Sequence, residues 1–178
     1  MCNYNAPGQI VIGGRPEAVQ EAARLAKEAG GRGLPLNVAG AFHTSLMQSA
    51  AADFAAAVDA ASVSAAAIPV ISNVTAQPLT AADAIRADLK AQLTSPVRWS
   101  QTIDTLVAAG VTRVTEVGAG RALIGQAKRS HPQLDLSSTE GNIRPASGGQ
   151  ASQPHSSGGQ ASQPDTGQGG ETRSTSNV

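Results

Sequence analysis

The chain has 178 residues, 13 basic and 13 acidic side chains, and is 40% hydrophobic but only 2% aromatic. That length suits one domain with a tail, and its core must be assembled from many small aliphatic side chains. Balanced charge leaves no basic surplus for phosphates, which excludes non-specific nucleic-acid binding, and the single cysteine, Cys2, excludes both a disulfide framework and a cysteine-rich zinc site.

In chain order, QIVIGG (9–14) predicts a short strand ending in glycines. PEAVQEAARLAKEAG (16–30) predicts a helix, with Pro16 in its first turn and Gly30 at its end. GLPLNV (33–38) predicts a second strand, placed at an edge because Pro35 lacks a donor. A helix is expected from about Thr44 to Ala61, and IPVISNV (68–74) predicts a strand. TAADAIRADLKAQL (80–93) predicts a helix with Thr80 as N-cap and Asp83 three positions on. SPVRWSQTIDTLVAAG (95–110) predicts another helix, from Pro96 to Gly110. VTRVTEVGAG (111–120) predicts a strand running into a glycine turn, and ALIGQAKRS (122–130) a last short helix. Strands alternating with helices place the chain in the α/β class.

From residue 132 to 178 Ser, Gly, Gln, Pro and Thr dominate, and SGGQASQP occurs at 147–154 and again at 157–164. The unit has no apolar face to bury, so a disordered low-complexity tail is expected there, with His155 solvated between the repeats. The first residues, MCNYNAPGQ, are polar, so no signal peptide is expected. No run approaches the roughly 20 apolar residues of a membrane span. A cytoplasmic, reducing location with no membrane contact is the expectation.

The chemistry concentrates in GAFHTSLM (40–47), where His43 precedes a helix start. Two readings stand side by side there. His43 is a capping, half-buried residue, or it is a neutral imidazole that takes a proton from a serine or cysteine. No G-x-S-x-G nucleophile elbow occurs in the chain. Cys2 lies at the terminus, and Ser45 and Ser72 lack flanking glycines, so the base has no convincing nucleophile. No metal-ligand pattern is present either. GGRPEA (13–18) and GAGRALIGQAKR (118–129) lack both the G-x-G-x-x-G spacing and a Walker lysine, so their glycines read as tight strand-to-helix turns.

Taken together, NYNAPGQIVIGG, GAFHTSLM, IPVISNVTAQP, QLTSPVRWSQTI and EVGAGRALIGQAKR, in this order and spacing, resemble the C-terminal part of malonyl-CoA:acyl carrier protein transacylases. The resemblance covers residues 3 to 130. It implies a partial acyltransferase fold. Residues 1–38 would end the ferredoxin-like small subdomain, and residues 39–131 would close the hydrolase-like large one. It implies His43 as general base, oriented by the main-chain carbonyl of Gln92. Phe42 would crowd the site in favour of malonyl over bulkier units, and Asn5 would line the pocket. The substrate implied is malonyl-CoA, a coenzyme A thioester, with acyl carrier protein as partner and no bound cofactor, in fatty acid or polyketide synthesis. The family's serine elbow, its oxyanion glutamine and its carboxylate-binding arginine belong to an N-terminal half that these residues do not contain. Arg98, Arg121 and Arg129 fall in other motifs. The chain is therefore expected to be inactive alone. The alternative is a non-catalytic remnant or module that binds acyl carrier protein or a partner acyltransferase chain.

Overall fold

The computed structural model describes residues 1–38 and 40–140. The repeats at 147–164 and His155 lie outside them. The chain opens with a hairpin whose second strand was expected from QIVIGG and whose first strand the sequence reading missed. Strand β1 (Asn3–Ala6) pairs antiparallel with β2 (Gln9–Val11), turning through Pro7 and Gly8, whose φ is 72°. The register shifts between Tyr4 and Ala6, so Asn5 occupies a β-bulge. Polar side chains hid β1, which has only partly exposed positions besides buried Ala6.

Helix α1 (Pro16–Glu28) follows as expected, with proline at its start. Gly30 (φ 82°) and Gly31 donate to the carbonyls of Lys27 and Ala26, closing the helix in the left-handed manner that glycine permits. The strand expected at 33–38 does not form. Pro35 removes a donor, and this stretch pairs with no strand among the described residues, leaving Leu34, Leu36 and Val38 exposed.

Past His43, a 3-10 turn (Ser45–Met47) leads into α2 (Gln48–Ala60). The seven-residue strand expected at 68–74 shrinks to β3 (Val70–Ile71), paired antiparallel with β4 (Pro78–Leu79). Ser72 explains the truncation. Its Oγ accepts from the amides of Val74 (3.0 Å) and Thr75 (2.9 Å), folding the chain into a turn. Helix α3 (Ala82–Gln92) starts after Ala81, which makes no side-chain cap bond, so Thr80 is not its N-cap. Helix α4 (Trp99–Ala108) begins later than Pro96, because Val97 is occupied in a parallel bridge with Asn3.

Strand β5 (Arg113–Glu116), helix α5 (Ala122–Ser130) and strand β6 (Asp135–Ser138) form one unit with parallel strands. Strand β6 corrects the expectation that disorder begins at 132. The glycine turn before α5 is as read, with Gly118 and Gly120 at φ 140° and 99°. The Glu116 carboxylate accepts from the amides of Leu123 (3.3 Å) and Ile124 (3.0 Å), capping α5 from the preceding strand. The core sits between α4 and this unit. Ile103 (fully buried), Ala127 and Leu134 form its centre, flanked by Trp99, Leu106 and Val114. Among the described residues the strands make three two-stranded sheets within a mixed α/β array, and no helix is long and apolar enough to cross a membrane.

Candidate active site

Among the described residues His43 is one of two non-glycine residues with positive φ, at 64°. That conformation is costly for a side-chain-bearing residue and persists only where neighbours hold it. Here the end of α3 does so. The His43 amide donates to the Leu93 carbonyl at 3.0 Å, and its ring Nδ1 lies 2.8 Å from the Gln92 carbonyl oxygen. Both acceptors lie at a helix C-terminus, where carbonyls have no partner within the helix and carry the negative end of its dipole. A carbonyl only accepts, so Nδ1 must carry the proton in this bond. The lone pair of the neutral ring is then at Nε2. The positive φ brings the main-chain amide and the ring onto the same pair of carbonyls.

The following residue fixes the entry into α2. Thr44 is the N-cap of the 3-10 turn. Its hydroxyl accepts from the Leu46 amide (3.2 Å) and donates to the Ala41 carbonyl (2.6 Å). Phe42, beside His43, is 46% exposed. Its ring lies over Gly40, where an added Cβ would sit 3.0 Å from the ring edge.

Three segments meet at His43 around an open cavity of about 400 Å³. Gly13, Gly14 and Arg15 form one wall, His43, Thr44, Ser45 and Leu46 a second, and Thr94 and Pro96 a third, with Met1 at the side. The hairpin reaches this place through the 97 segment. The Tyr4 amide donates to the Val97 carbonyl and the Val97 amide to the Cys2 carbonyl, both at 2.8 Å. The side chain of Cys2 in turn packs on Gly13, where an added Cβ would lie 2.6 Å from Sγ.

The structure thus brings His43 and the Gln92 carbonyl together and leaves two other candidates apart from the cavity. Neither Phe42 nor Asn5 lines it. The alternative nucleophiles have other occupations. Ser72 is buried, donates to Asp88 and accepts from two amides. Cys2 is buried, and that burial raises its thiol pKa, which disfavours the reactive thiolate. Ser45 lines the cavity from the first turn after His43. Sequence reasoning missed Leu93, Thr94 and Arg15. The role of Leu93 is carried by its main chain and leaves no side-chain signal, whereas the charge of Arg15 beside two glycines was visible. Among the described residues no group of three His, Cys, Asp or Glu side chains is placed to hold a metal.

No protein-family model matches the chain. Curated relatives do. The chain is 44% identical over 135 residues to the malonyl CoA-acyl carrier protein transacylase of Bacillus subtilis, covering 75% of this chain and 43% of the relative. It is 41% identical over 128 residues to that of Escherichia coli, covering 71% and 41%. The chain therefore spans less than half the length of these relatives. Among solved structures, an acyl carrier protein S-malonyltransferase from Vibrio cholerae superposes with a TM-score of 0.75 at 39% identity, over 78% of this chain and 46% of that one. A malonyl-transacylase solved in complex with a type II polyketide acyl-carrier protein gives a TM-score of 0.73 at 38% identity, over 78% and 45%.

Proposed function

We propose that this chain, similar over about three quarters of its own length to under half of the malonyl CoA-acyl carrier protein transacylases it matches, supplies the base side of malonyl transfer. The reaction moves a malonyl group from coenzyme A to the phosphopantetheine thiol of acyl carrier protein, in fatty acid or polyketide synthesis. The observation that carries the reading is the His43 ring, bonded through Nδ1 to the Gln92 carbonyl with the Nε2 lone pair left over.

In this reading Nε2 takes the proton of a serine hydroxyl as its oxygen attacks the thioester carbon. The departing coenzyme A thiolate regains that proton from the imidazolium. The second half runs in reverse. Nε2 takes the proton of the carrier thiol, whose sulfur attacks the acyl-serine, and the serine oxygen is reprotonated as it leaves. The Gln92 carbonyl holds the tautomer that makes each transfer possible. The serine lies outside these 178 residues, which contain no elbow motif. Phe42, next to His43 in sequence, and Asn5, on the hairpin, do not line the cavity beside His43, so their part in selecting and contacting the acyl unit rests on the resemblance alone.

Purified chain mixed with malonyl-CoA and acyl carrier protein, followed by mass spectrometry of the carrier, is expected to show no malonyl transfer. Adding a polypeptide with the serine-bearing portion of the Bacillus subtilis relative is expected to give transfer that His43→Ala abolishes. Robust transfer by the chain alone, or transfer by the mixture that survives His43→Ala, refutes the reading. A second reading, a binding module without catalysis, draws on the exposed apolar residues around Leu34, Leu36 and Phe42. It predicts a stable complex with that added portion and no transfer.

A further inference from the structure

The cavity beside His43 has a charge pattern of its own. Its lining contains one formally charged side chain, Arg15, together with the hydroxyls of Thr44, Ser45 and Thr94, and no carboxylate. Among the described residues Arg32, Arg98 and Arg121 also make no side-chain bond, but none of them lines the cavity, and the remaining arginines are engaged. Arg24 bonds Glu21 and Glu28, Arg86 caps the end of α2, Arg113 pairs with Asp135, and Arg129 donates to Gln9. Arg15 is exposed, and among the described residues its side chain makes no ion pair or hydrogen bond. It stands at the junction of Gly14 and α1, whose proline leaves the helix start without a competing side-chain cap.

We infer that Arg15 is the anchor for the phosphate end of the pantetheine-bearing substrate. The inference rests on the transfer reading given above and assigns to it a binding residue. An unpaired guanidinium can fork onto two oxygens of a phosphate, a geometry that the single point charge of lysine does not reproduce. Its exposure decides which anion it takes. The thioester must reach the half-buried His43, so the malonyl carboxylate, a few bonds from the reacting carbon, lies deep. The phosphate, at the far end of the pantetheine arm, stays near water. A rim cation on the wall facing His43 suits the far end. Both substrates of the transfer carry that phosphate, so one arginine serves the donor and the acceptor step.

The test is equilibrium binding of coenzyme A and of pantetheine, which lacks the phosphate, to the full chain, read by calorimetry. Wild type is compared with Arg15→Gln and Arg15→Lys. Because Arg15 is exposed, both variants are expected to keep the wild-type melting temperature. Arg15→Gln is expected to weaken coenzyme A about five- to tenfold, Arg15→Lys less, and pantetheine not at all. Malonate is the second arm. If Arg15→Gln weakens malonate and leaves coenzyme A unchanged, the residue binds the carboxylate and the inference falls. Equal weakening of coenzyme A and pantetheine, or no saturable binding of coenzyme A to wild type, also overturns it. The transfer reading fails separately. If the complemented mixture described above transfers no malonyl group while coenzyme A binding still depends on Arg15, the anchor stands and the reaction does not.

Discussion

At the scale of single residues, several side chains that look chemically interesting are occupied in holding the chain together. Gly13 is a tightly packed position. A methyl there would lie 2.6 Å from Cys2 Sγ and 3.3 Å from Thr44 Cγ2. Gly13→Ala is expected to cost about 1–3 kcal/mol, the usual range for overpacking, measured by urea denaturation. Ser72→Ala removes one oxygen that serves two amides and Asp88. The expected loss is about 1–2 kcal/mol, since the part-buried amides of Val74 and Thr75 and the Asp88 carboxylate each lose a partner. Burial raises the pKa of Cys2, which fixes the direction of two measurements. Iodoacetamide is expected to label native Cys2 more slowly than the urea-unfolded chain at neutral pH. The thiol's contribution to stability is full below the unfolded-state pKa. It declines as pH rises towards the higher folded value, because the unfolded chain then ionises first. His43 was legible in the sequence as a residue to watch. Its bond to the Gln92 carbonyl came only through the family resemblance, and the bond of its amide to Leu93 not at all, because both partners are main-chain carbonyls some fifty positions away and no side-chain code announces them.

At the scale of elements, the helices were legible and the strands only in part. Helices α1 and α5 carry their own punctuation, proline and glycine at the ends of α1 and a glycine turn before α5. The strands depend on partners. β1 exists because Gln9–Val11 and Val97 both bond to it, and its polar residues gave no alternation to read. GLPLNV had the composition of a strand and no partner to pair with. β6 was hidden in a stretch that merges with polar sequence, and only its parallel register against β5 makes it a strand. One side chain ties the elements near the site. The Arg86 guanidinium, on α3, donates to the carbonyls of Val58, Asp59 (3.4 Å) and Ala61 (3.2 Å) at the end of α2. Lys90 adds an ion pair to Asp59 at 2.5 Å. Arg86→Ala is expected to lower stability by about 1–2 kcal/mol, whereas Lys90→Ala, a largely exposed pair, is expected to cost well under about 1 kcal/mol. Thermal melts of the two variants separate these contributions.

At the scale of the whole molecule, the core is thin for the apolar surface around it. Ile103, Ala127 and Leu134 are buried at its centre, while Ile68 (79% exposed), Val117 (77%), Leu34 and Phe42 face outward. Exposed apolar side chains in this number raise the chance of association through the surface. The chain alone is expected to bind the dye ANS in its folded state and to elute from a sizing column at an apparent mass that rises with concentration. Adding the serine-bearing portion of a relative is expected to suppress both effects. A concentration-independent monomer without dye binding contradicts this. The attachment of His43 has a separate consequence for how such a chain can change over time. Both of its bonds end on peptide oxygens, which every amino acid supplies. Residues 92 and 93 are therefore free to drift in side-chain identity without detaching the imidazole. What must be preserved is the place where α3 stops. An inserted or deleted residue in that helix would turn the two carbonyls away, and the imidazole would lose its orientation with every ring atom still present.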